Sequence, residues 1–141
     1  MRGYLLDTNV ISELRKGPRA APSVRAWFDD TSSDELFLSV LVTGEIRRGI
    51  ERIRRRDLVS AQHLDAWLAG LRHHYDDRIL PVTEDIAELW GQSGLVRPLA
   101  PIDGLLAATA QYHHLVVVTR NVSDFADAPA DVLNPFDDKG E

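Results

Sequence analysis

The chain has no cysteine, no long apolar run and no overall excess of positive charge. The absence of cysteine from its 141 residues excludes disulfides and thiolate metal sites, and is expected of a reducing compartment. No window reaches the length of a membrane-spanning helix, and the apolar stretch in MRGYLLDTN is too short for a signal peptide. We therefore expect a cytoplasmic protein that does not associate with membranes.

The charge is acidic overall and unevenly distributed. The formal net charge of −6 at pH 7 comes from 16 basic and 22 acidic residues, which argues against a general basic coat for nucleic acid. Residues 47–56, RRGIERIRRR, nevertheless hold six arginines and one glutamate. Such a run is either a solvated helix face or a local contact for phosphates or a protein partner. Arg47 and Arg48, at its start, are the candidate contact residues.

The order of short apolar runs and longer helical patterns predicts an α/β fold. The length suits one domain spanning residues 1–141. The runs LVVVT and YLL are apolar without alternation, as in strands covered on both faces. Strands separated by helices imply a mostly parallel sheet of four to five strands in a three-layer α/β/α sandwich. The predicted strands are residues 3–6, 36–38, 78–80, 115–119 and 132–133, and the predicted helices are residues 22–30, 40–56, 60–75, 83–94 and 101–114.

Four acidic residues follow the predicted strands, at the edge where parallel sheets form their sites. Asp7 comes directly after the first strand, Glu45 lies early in the helix after the second, and Asp103 lies at the start of the DGLLAATA helix. Asp124 comes five residues after the LVVVT strand. Each has a structural alternative: Asp7 and Asp103 as helix caps, Glu45 paired with Arg48, and Asp124 in a turn.

Taken together, the four acids favour a metal site over four separate structural roles. Four negative charges on one edge repel one another, and a hard divalent cation would offset that repulsion. Oxygen ligands without histidine or cysteine select Mg²⁺ or Mn²⁺ over zinc. Such an ion lowers the pKa of a bound water and neutralises charge on a phosphate under attack. The pattern therefore suits phosphodiester hydrolysis.

Five motifs resemble one family over nearly the whole chain. The segments LLDTNVISEL, LFLSVLVTGEIRRGIERI, DGLLAATA, VTRNVSDF and VLNPF are similar, in order and spacing, to PIN-domain ribonucleases, in particular the FitB-like and VapC-type toxins of bacterial toxin–antitoxin pairs. The resemblance implies a Mg²⁺- or Mn²⁺-dependent endoribonuclease that is the toxin of a type II pair. The acidic residues of the family motifs are catalytic and bind the metal. The resemblance implies that these residues are Asp7, Glu45, Asp103 and Asp124 in this chain.

The resemblance also implies partners. The expected partners are an RNA substrate, a small antitoxin that covers the acidic site, and a second copy of the chain in a homodimer, with higher-order assembly possible with antitoxin. From their positions in the chain rather than from the resemblance, Thr8 and Asn9 are expected either to hydrogen-bond Asp7 or the water of its metal or to act as a helix cap and a turn amide, and Thr119, at the end of its strand, is expected to orient a carboxylate. The chain departs from the family pattern at Gly104, where alanine or another helix former is expected. Glycine near a helix start costs up to about 1 kcal/mol of helix stability relative to alanine, so we expect it to loosen the helix that carries Asp103.

Two other functions are consistent with acids at strand ends. A signalling receiver carries adjacent acids after its first strand and a lysine after its last, whereas Asp7 is followed by Thr-Asn and the lysines are at positions 16 and 139. A catalytically inactive PIN-like module that binds RNA or an antitoxin without cleavage is the closer alternative. Retention of all four acids argues against it.

Overall fold

Among the residues that the structure describes, five short strands form one sheet in which every pairing is parallel. The computed structural model describes residues 3–93 and 99–137. The strand order is β3-β2-β1-β4-β5, so the predicted α/β fold with a parallel sheet is confirmed. Each strand lies where the sequence predicts one, within one residue at either end. The strands are β1 (Tyr4–Leu6), β2 (Leu36–Ser39), β3 (Ile79–Leu80), β4 (Val116–Val118) and β5 (Val132–Leu133).

In the described part of the chain, six α-helices flank the sheet, and local capping explains where several of them begin. Thr83 caps one helix as predicted, since its hydroxyl accepts from Ile86 N at 3.3 Å. Asp57 accepts from Ser60 N at 3.0 Å and caps another helix. This helix therefore begins at Leu58, two residues before the predicted start at residue 60. The predicted glycine end at Gly94 lies outside the described residues. The helices are α1 (Thr8–Leu14), α2 (Pro22–Asp29), α3 (Val40–Arg54), α4 (Leu58–His74), α5 (Glu84–Gln92) and α6 (Pro101–His113).

The central strands are buried on both faces, as their unbroken apolar sequences predict. Leu5, Leu6, Val117 and Val118 have no exposed surface. Small residues let α6 lie close to the sheet, since residues 106–110, LAATA, are all buried. No helix within residues 3–93 or 99–137 combines the length and the apolar character needed to cross a membrane.

The order of the strands reverses beside β1. The chain builds β1, β2 and β3 outward in one direction and then adds β4 and β5 on the other side of β1. Sites in parallel sheets form beyond the carboxyl ends of the strands at such a reversal. Asp7 follows β1 and Thr119 follows β4, so both residues lie at this position.

Candidate active site

Asp7 is held rigidly between β1 and β4. Its backbone N–H donates to Val118 O at 2.9 Å, and the residue is 7% exposed. Its Oδ1 accepts from Thr8 N at 2.8 Å, which caps α1. Its Oδ2 accepts from the Thr119 hydroxyl at 2.8 Å and from Asn9 Nδ2 at 3.4 Å. Asp7 is therefore a helix cap and also a carboxylate with a fixed orientation at the strand-order reversal.

Thr119 links the two segments that meet at this point. Its hydroxyl is fully buried, donates to Asp7, and accepts from Asn9 Nδ2 at 3.2 Å and from Asn121 N at 3.0 Å. Asn9 Oδ1 in turn accepts from Arg120 N at 3.0 Å. The predicted contacts of Asn9 and Thr119 with Asp7 are thus present, and they tie the start of α1 to the segment after β4.

Glu45 is joined to the same edge through Thr8. Ser39 caps α3 by accepting from Leu41 N at 3.0 Å, so Glu45 lies in the second turn of the helix. The Thr8 hydroxyl donates to Glu45 Oε1 at 2.6 Å, the short distance of a charge-assisted bond. The side chain of Thr8 therefore orients Glu45 rather than Asp7. In the described part of the chain, Glu45 forms no ion pair with Arg48. The structural alternative for Glu45, a pair with Arg48 along the helix, is therefore excluded.

Asp103 and Asp124 approach the edge from two further elements. Ala100 is the N-cap of α6 and Pro101 its first residue, so Asp103 lies in the first turn and is not the cap. Its side chain is half-buried. Asp124 lies in the one-turn 3₁₀ helix Val122–Phe125, where the buried ring of Phe125 anchors the turn and leaves Asp124 exposed.

The raised pKa of Asp103 shows that the other three acids lie close enough to act on its carboxyl group. Partial burial of the carboxyl raises its pKa first, and the negative charges of Asp7, Asp124 and Glu45 raise it further, from the ordinary 3.8 to about 6. A helix N-terminus normally favours a carboxylate, so burial and repulsion outweigh the helix dipole here. Four acids that are far apart in sequence therefore form one electrostatic cluster.

The cluster has the donor chemistry of a hard-cation site without being closed around one. Across residues 3–93 and 99–137, no three acidic or histidine side chains are gathered at the spacing of ligands around a single ion. The donors are all carboxylate oxygens, which suit Mg²⁺ or Mn²⁺, and Mg²⁺ usually reaches part of its coordination shell through water.

Gly104 makes close packing possible at the start of α6, in contrast to the loosening predicted from sequence. A Cβ atom at this position would lie 2.8 Å from Trp90 Nε1 and 2.9 Å from Trp90 Cδ1. Real Cβ contacts are longer, so any larger residue would force the indole of Trp90 away. Glycine therefore lets α5 pack against the first turn of α6, which carries Asp103. Helix propensity alone takes no account of this neighbour.

Replacing Gly104 by alanine is therefore expected to destabilise the protein by about 1 kcal/mol. Displacement of Trp90 should cost more than the roughly 1 kcal/mol gained in helix propensity. In a Trp90→Ala background the clash is absent, and Gly104→Ala should be stabilising instead. Urea unfolding of the four proteins of this double-mutant cycle measures the sign in each background. Stabilisation by alanine in both backgrounds would exclude the packing explanation.

The two arginines predicted to contact RNA or a partner have different environments. Arg47 Nη1 lies 2.7 Å from Asp65 Oδ1 on α4 and 3.2 Å from Glu51 Oε2. Arg54 binds the same two acids at 2.7 Å and 3.0 Å. Arg47 therefore contributes to an ion-pair network that joins α3 to α4, whereas Arg48 is exposed. The pairs with Glu51 are at ordinary helical spacing, whereas the contacts with Asp65 cannot be read from the sequence, because Asp65 lies 18 residues from Arg47.

A parallel sheet with a carboxylate cluster at its strand-order reversal agrees with the family match. Residues 4–130 match the model of the PIN domain family, and the chain belongs to that family. It is 33% identical over 141 residues to toxin FitB of Neisseria gonorrhoeae, covering 95% of this chain and 99% of that protein. It is 37% identical over 145 residues to VapC ribonuclease Y4jK of Sinorhizobium fredii, with 94% and 97% covered.

Solved structures share the fold. FitAcB from Neisseria gonorrhoeae superposes with a TM-score of 0.85 at 32% identity, covering 94% of this chain and 98% of that one. A toxin–antitoxin complex from Klebsiella pneumoniae superposes with a TM-score of 0.70 at 25% identity, covering 96% and 99%. The similarity in both cases extends over nearly the whole chain, so the sheet and its site edge belong to the shared fold.

Proposed function

We propose that this chain is an endoribonuclease that requires Mg²⁺ or Mn²⁺ and is the toxin of a type II toxin–antitoxin pair. The observation that carries the proposal is the PIN-domain fold with Asp7 fixed at its strand-order reversal, Glu45 joined to the same edge through Thr8, and Asp103 close enough to the other acids for their charges to raise its pKa. The names of relatives, a toxin and a ribonuclease, supply the reaction and the biological role. RNA is the substrate, and the cytoplasm is where a toxin of this kind acts on it.

Each carboxylate has a distinct part in holding the metal. Asp7 and Asp103 are the most direct ligands, Glu45 holds the metal or orients its water, and Asp124 completes the cluster. When bound, Mg²⁺ or Mn²⁺ acidifies a water and neutralises charge on the phosphate under attack. Hydrogen bonds set the direction of two of these carboxylates before any metal binds.

The positioning hydrogen bonds explain why the site is built on these segments. Thr119 and Asn9 fix Asp7, and Thr8 fixes Glu45. Such outer contacts orient metal ligands and typically change metal affinity or activity by roughly 10- to 100-fold when removed. Asp103 is held neutral more readily than an ordinary aspartate, so metal binding must displace its proton at low pH.

The catalytically inactive alternative differs from this proposal only in cleavage. All four acids are present and face one edge, and the positioning contacts of Asp7 and Glu45 are intact. An inactive binding module has no need of oriented carboxylates that repel one another. These features support an active nuclease.

The partners follow from the same site. A solved neighbour is a toxin–antitoxin complex, and an antitoxin segment of positive charge would complement the acidic cluster. We place the antitoxin over that cluster, where it keeps RNA out. We also propose a homodimer as the unit that the antitoxin binds, with higher-order assembly in the complex.

Expression of this chain alone is expected to arrest bacterial growth, because uncontrolled RNA cleavage stops protein synthesis. Expression together with the cognate antitoxin should restore growth. The measurement is the growth curve of an inducible strain, with Asp103→Asn as the control that is expressed but not toxic. Harmless expression of the wild-type protein, with RNA cleavage present in vitro, would exclude the toxin role and leave the nuclease role intact.

A further inference from the structure

Five of the six arginines in residues 47–56, those on α3 and its C-cap Arg55, fall into two sets with different surroundings. Arg47 and Arg54 are ion-paired to Glu51 and Asp65, and these contacts fasten α3 to α4. The acids raise the pKa of both guanidinium groups, so their positive charges are matched within the fold. This first set has a structural task.

The second set consists of Arg48, Arg52 and Arg55, here called the arginine stripe. All three are exposed, and within the described residues no acidic side chain lies within ion-pair distance of them. Their spacing of four and then three residues places them on one face of the helix. Like charges at this spacing disfavour the helix by a few tenths of a kcal/mol per pair, so an anion that neutralises them would be bound favourably.

The arginine stripe begins at the acidic cluster. Glu45 lies three residues before Arg48 and seven before Arg52, so it shares their side of α3. The bond from Thr8 to Glu45 fixes that end of the helix at the edge that carries Asp7. Each helical turn adds about 5.4 Å along the axis, so the stripe extends away from the site by roughly one guanidinium per turn.

The composition of this face favours a phosphate polymer over a protein. Between Gly44 and Arg55 the exposed positions are glycine, arginine and Glu51, with no exposed apolar side chain. The cores of protein interfaces are instead aromatic or aliphatic. Arginine binds phosphate through paired N–H donors, and a basic groove that follows the backbone is how single strands are held. In a protein of net charge −6, RNA needs such a local attraction to approach four carboxylates.

We propose that the arginine stripe binds consecutive phosphates of the RNA strand on one side of the cleaved bond. This inference rests on the proposed ribonuclease function and adds the path of the substrate to it. Arg48, next to Glu45, holds the phosphate nearest the site, and Arg52 and Arg55 hold those farther along. Arg47 is excluded from the path, because its guanidinium is engaged with Asp65 and Glu51.

The test is the salt dependence of RNA binding. Arg48→Gln, Arg52→Gln and Arg55→Gln are compared with wild type by fluorescence anisotropy of a labelled single-stranded RNA, in EDTA to prevent cleavage. Each lost phosphate contact should flatten the slope of log K against log salt by about 0.7. Arg52→Lys should largely keep the slope, because it keeps the charge. The KM for RNA cleavage in Mg²⁺ should rise in the same order as the loss of slope.

Arg72→Gln is the matched control. Arg72 is also an exposed helical arginine, two residues before His74, whose carbonyl accepts from Arg78 at 3.1 Å. Arg78 also donates to Leu36 O at 2.9 Å, at the amino end of β2, so Arg72 lies toward the edge opposite Asp7. Its replacement removes the same charge and should leave the slope unchanged. Circular dichroism melts check that each variant is folded.

Each outcome decides a different claim. Wild-type protein that neither binds nor cleaves RNA overturns the proposed function and the stripe together. Wild-type cleavage with unchanged slope and KM in all three glutamine variants overturns the stripe alone. Loss of antitoxin binding in those variants, without a change in slope, makes the face a protein interface and also overturns the stripe. If Arg72→Gln flattens the salt slope as much as the stripe variants do, the effect comes from net charge alone, and the proposed path of RNA along the arginine stripe is contradicted.

Discussion

Asp7→Asn and Asp103→Asn are each expected to reduce RNA cleavage at least ~100-fold while leaving the protein folded. Each substitution replaces a charged oxygen ligand by a neutral amide and so weakens the hold on a divalent cation. The fold should persist, because asparagine caps helices as well as aspartate does: its single carbonyl oxygen can still accept from Thr8 N, although the bond that Asp7 accepts from the Thr119 hydroxyl is lost. The measurement is the single-turnover cleavage rate of a mixed RNA pool at fixed Mg²⁺, with circular dichroism as the check on folding.

A distant exposed carboxylate provides the control for this experiment. Asp34 lies in the 3₁₀ turn Ser33–Glu35 that precedes β2, at the edge opposite Asp7. Asp34→Asn changes the net charge by the same amount and should cleave RNA at the wild-type rate. Full cleavage by both Asp7→Asn and Asp103→Asn would remove these two residues from the active site.

In the metal-free protein, Asp103→Asn is expected to be more stable than wild type at neutral pH. The folded pKa of Asp103 is raised to about 6 from 3.8, first by burial and then by Asp7, Asp124 and Glu45. Between these two values the folded state holds more protons than the unfolded chain, so stability falls as pH rises from about 4 to about 6. Asparagine carries no charge and removes that fall. Above pH 6 the free energy of unfolding of Asp103→Asn should exceed that of wild type by about 1 kcal/mol. This is less than the free energy that corresponds to the whole pKa shift, because Asp103 retains contact with solvent.

Urea unfolding in EDTA at pH 4, 5, 6 and 7 measures this difference. The two proteins should be nearly equal in stability at pH 4 and should separate progressively up to pH 6–7, with the variant more stable. Asp34→Asn again serves as the control, with a difference from wild type that does not grow over the same range. A constant difference between Asp103→Asn and wild type at all four pH values would mean that Asp103 is not under repulsion from the cluster.

The sheet could be predicted because its signals are local. The β-branched run at 116–118 and the apolar run at 4–6 have no alternation, as expected for strands that helices cover on both faces. Caps such as Thr83 act within three residues of their partners, so they too are visible in sequence. The apolar pattern predicts a start for α4 at residue 60, two residues too late, although the cap that sets the start, from Asp57 to Ser60 N, is also local.

The nearness of Asp103 to Asp7, Glu45 and Asp124 could be predicted because parallel strands all end at one edge. The contacts that orient them could be predicted only in part. Asn9 and Thr119 contact Asp7 as expected, whereas the bond from Thr8 to Glu45 joins residues 37 positions apart and depends on the angle of α3. The same limit applies to Gly104, whose role is set by Trp90, and to Arg47, whose partner is on another helix. Propensity and spacing carry no information on such tertiary distances.

The central claim is that the carboxylate cluster binds the divalent ion that RNA cleavage requires. The most direct test is the cleavage rate of metal-free wild type and Asp103→Asn as Mn²⁺ is titrated into a defined RNA substrate. The wild-type rate should be at background in EDTA and should rise to saturation with added Mn²⁺, whereas Asp103→Asn should remain near background throughout. Cleavage that persists in EDTA, or titration curves that coincide for the two proteins, would contradict a metal-dependent site at these carboxylates.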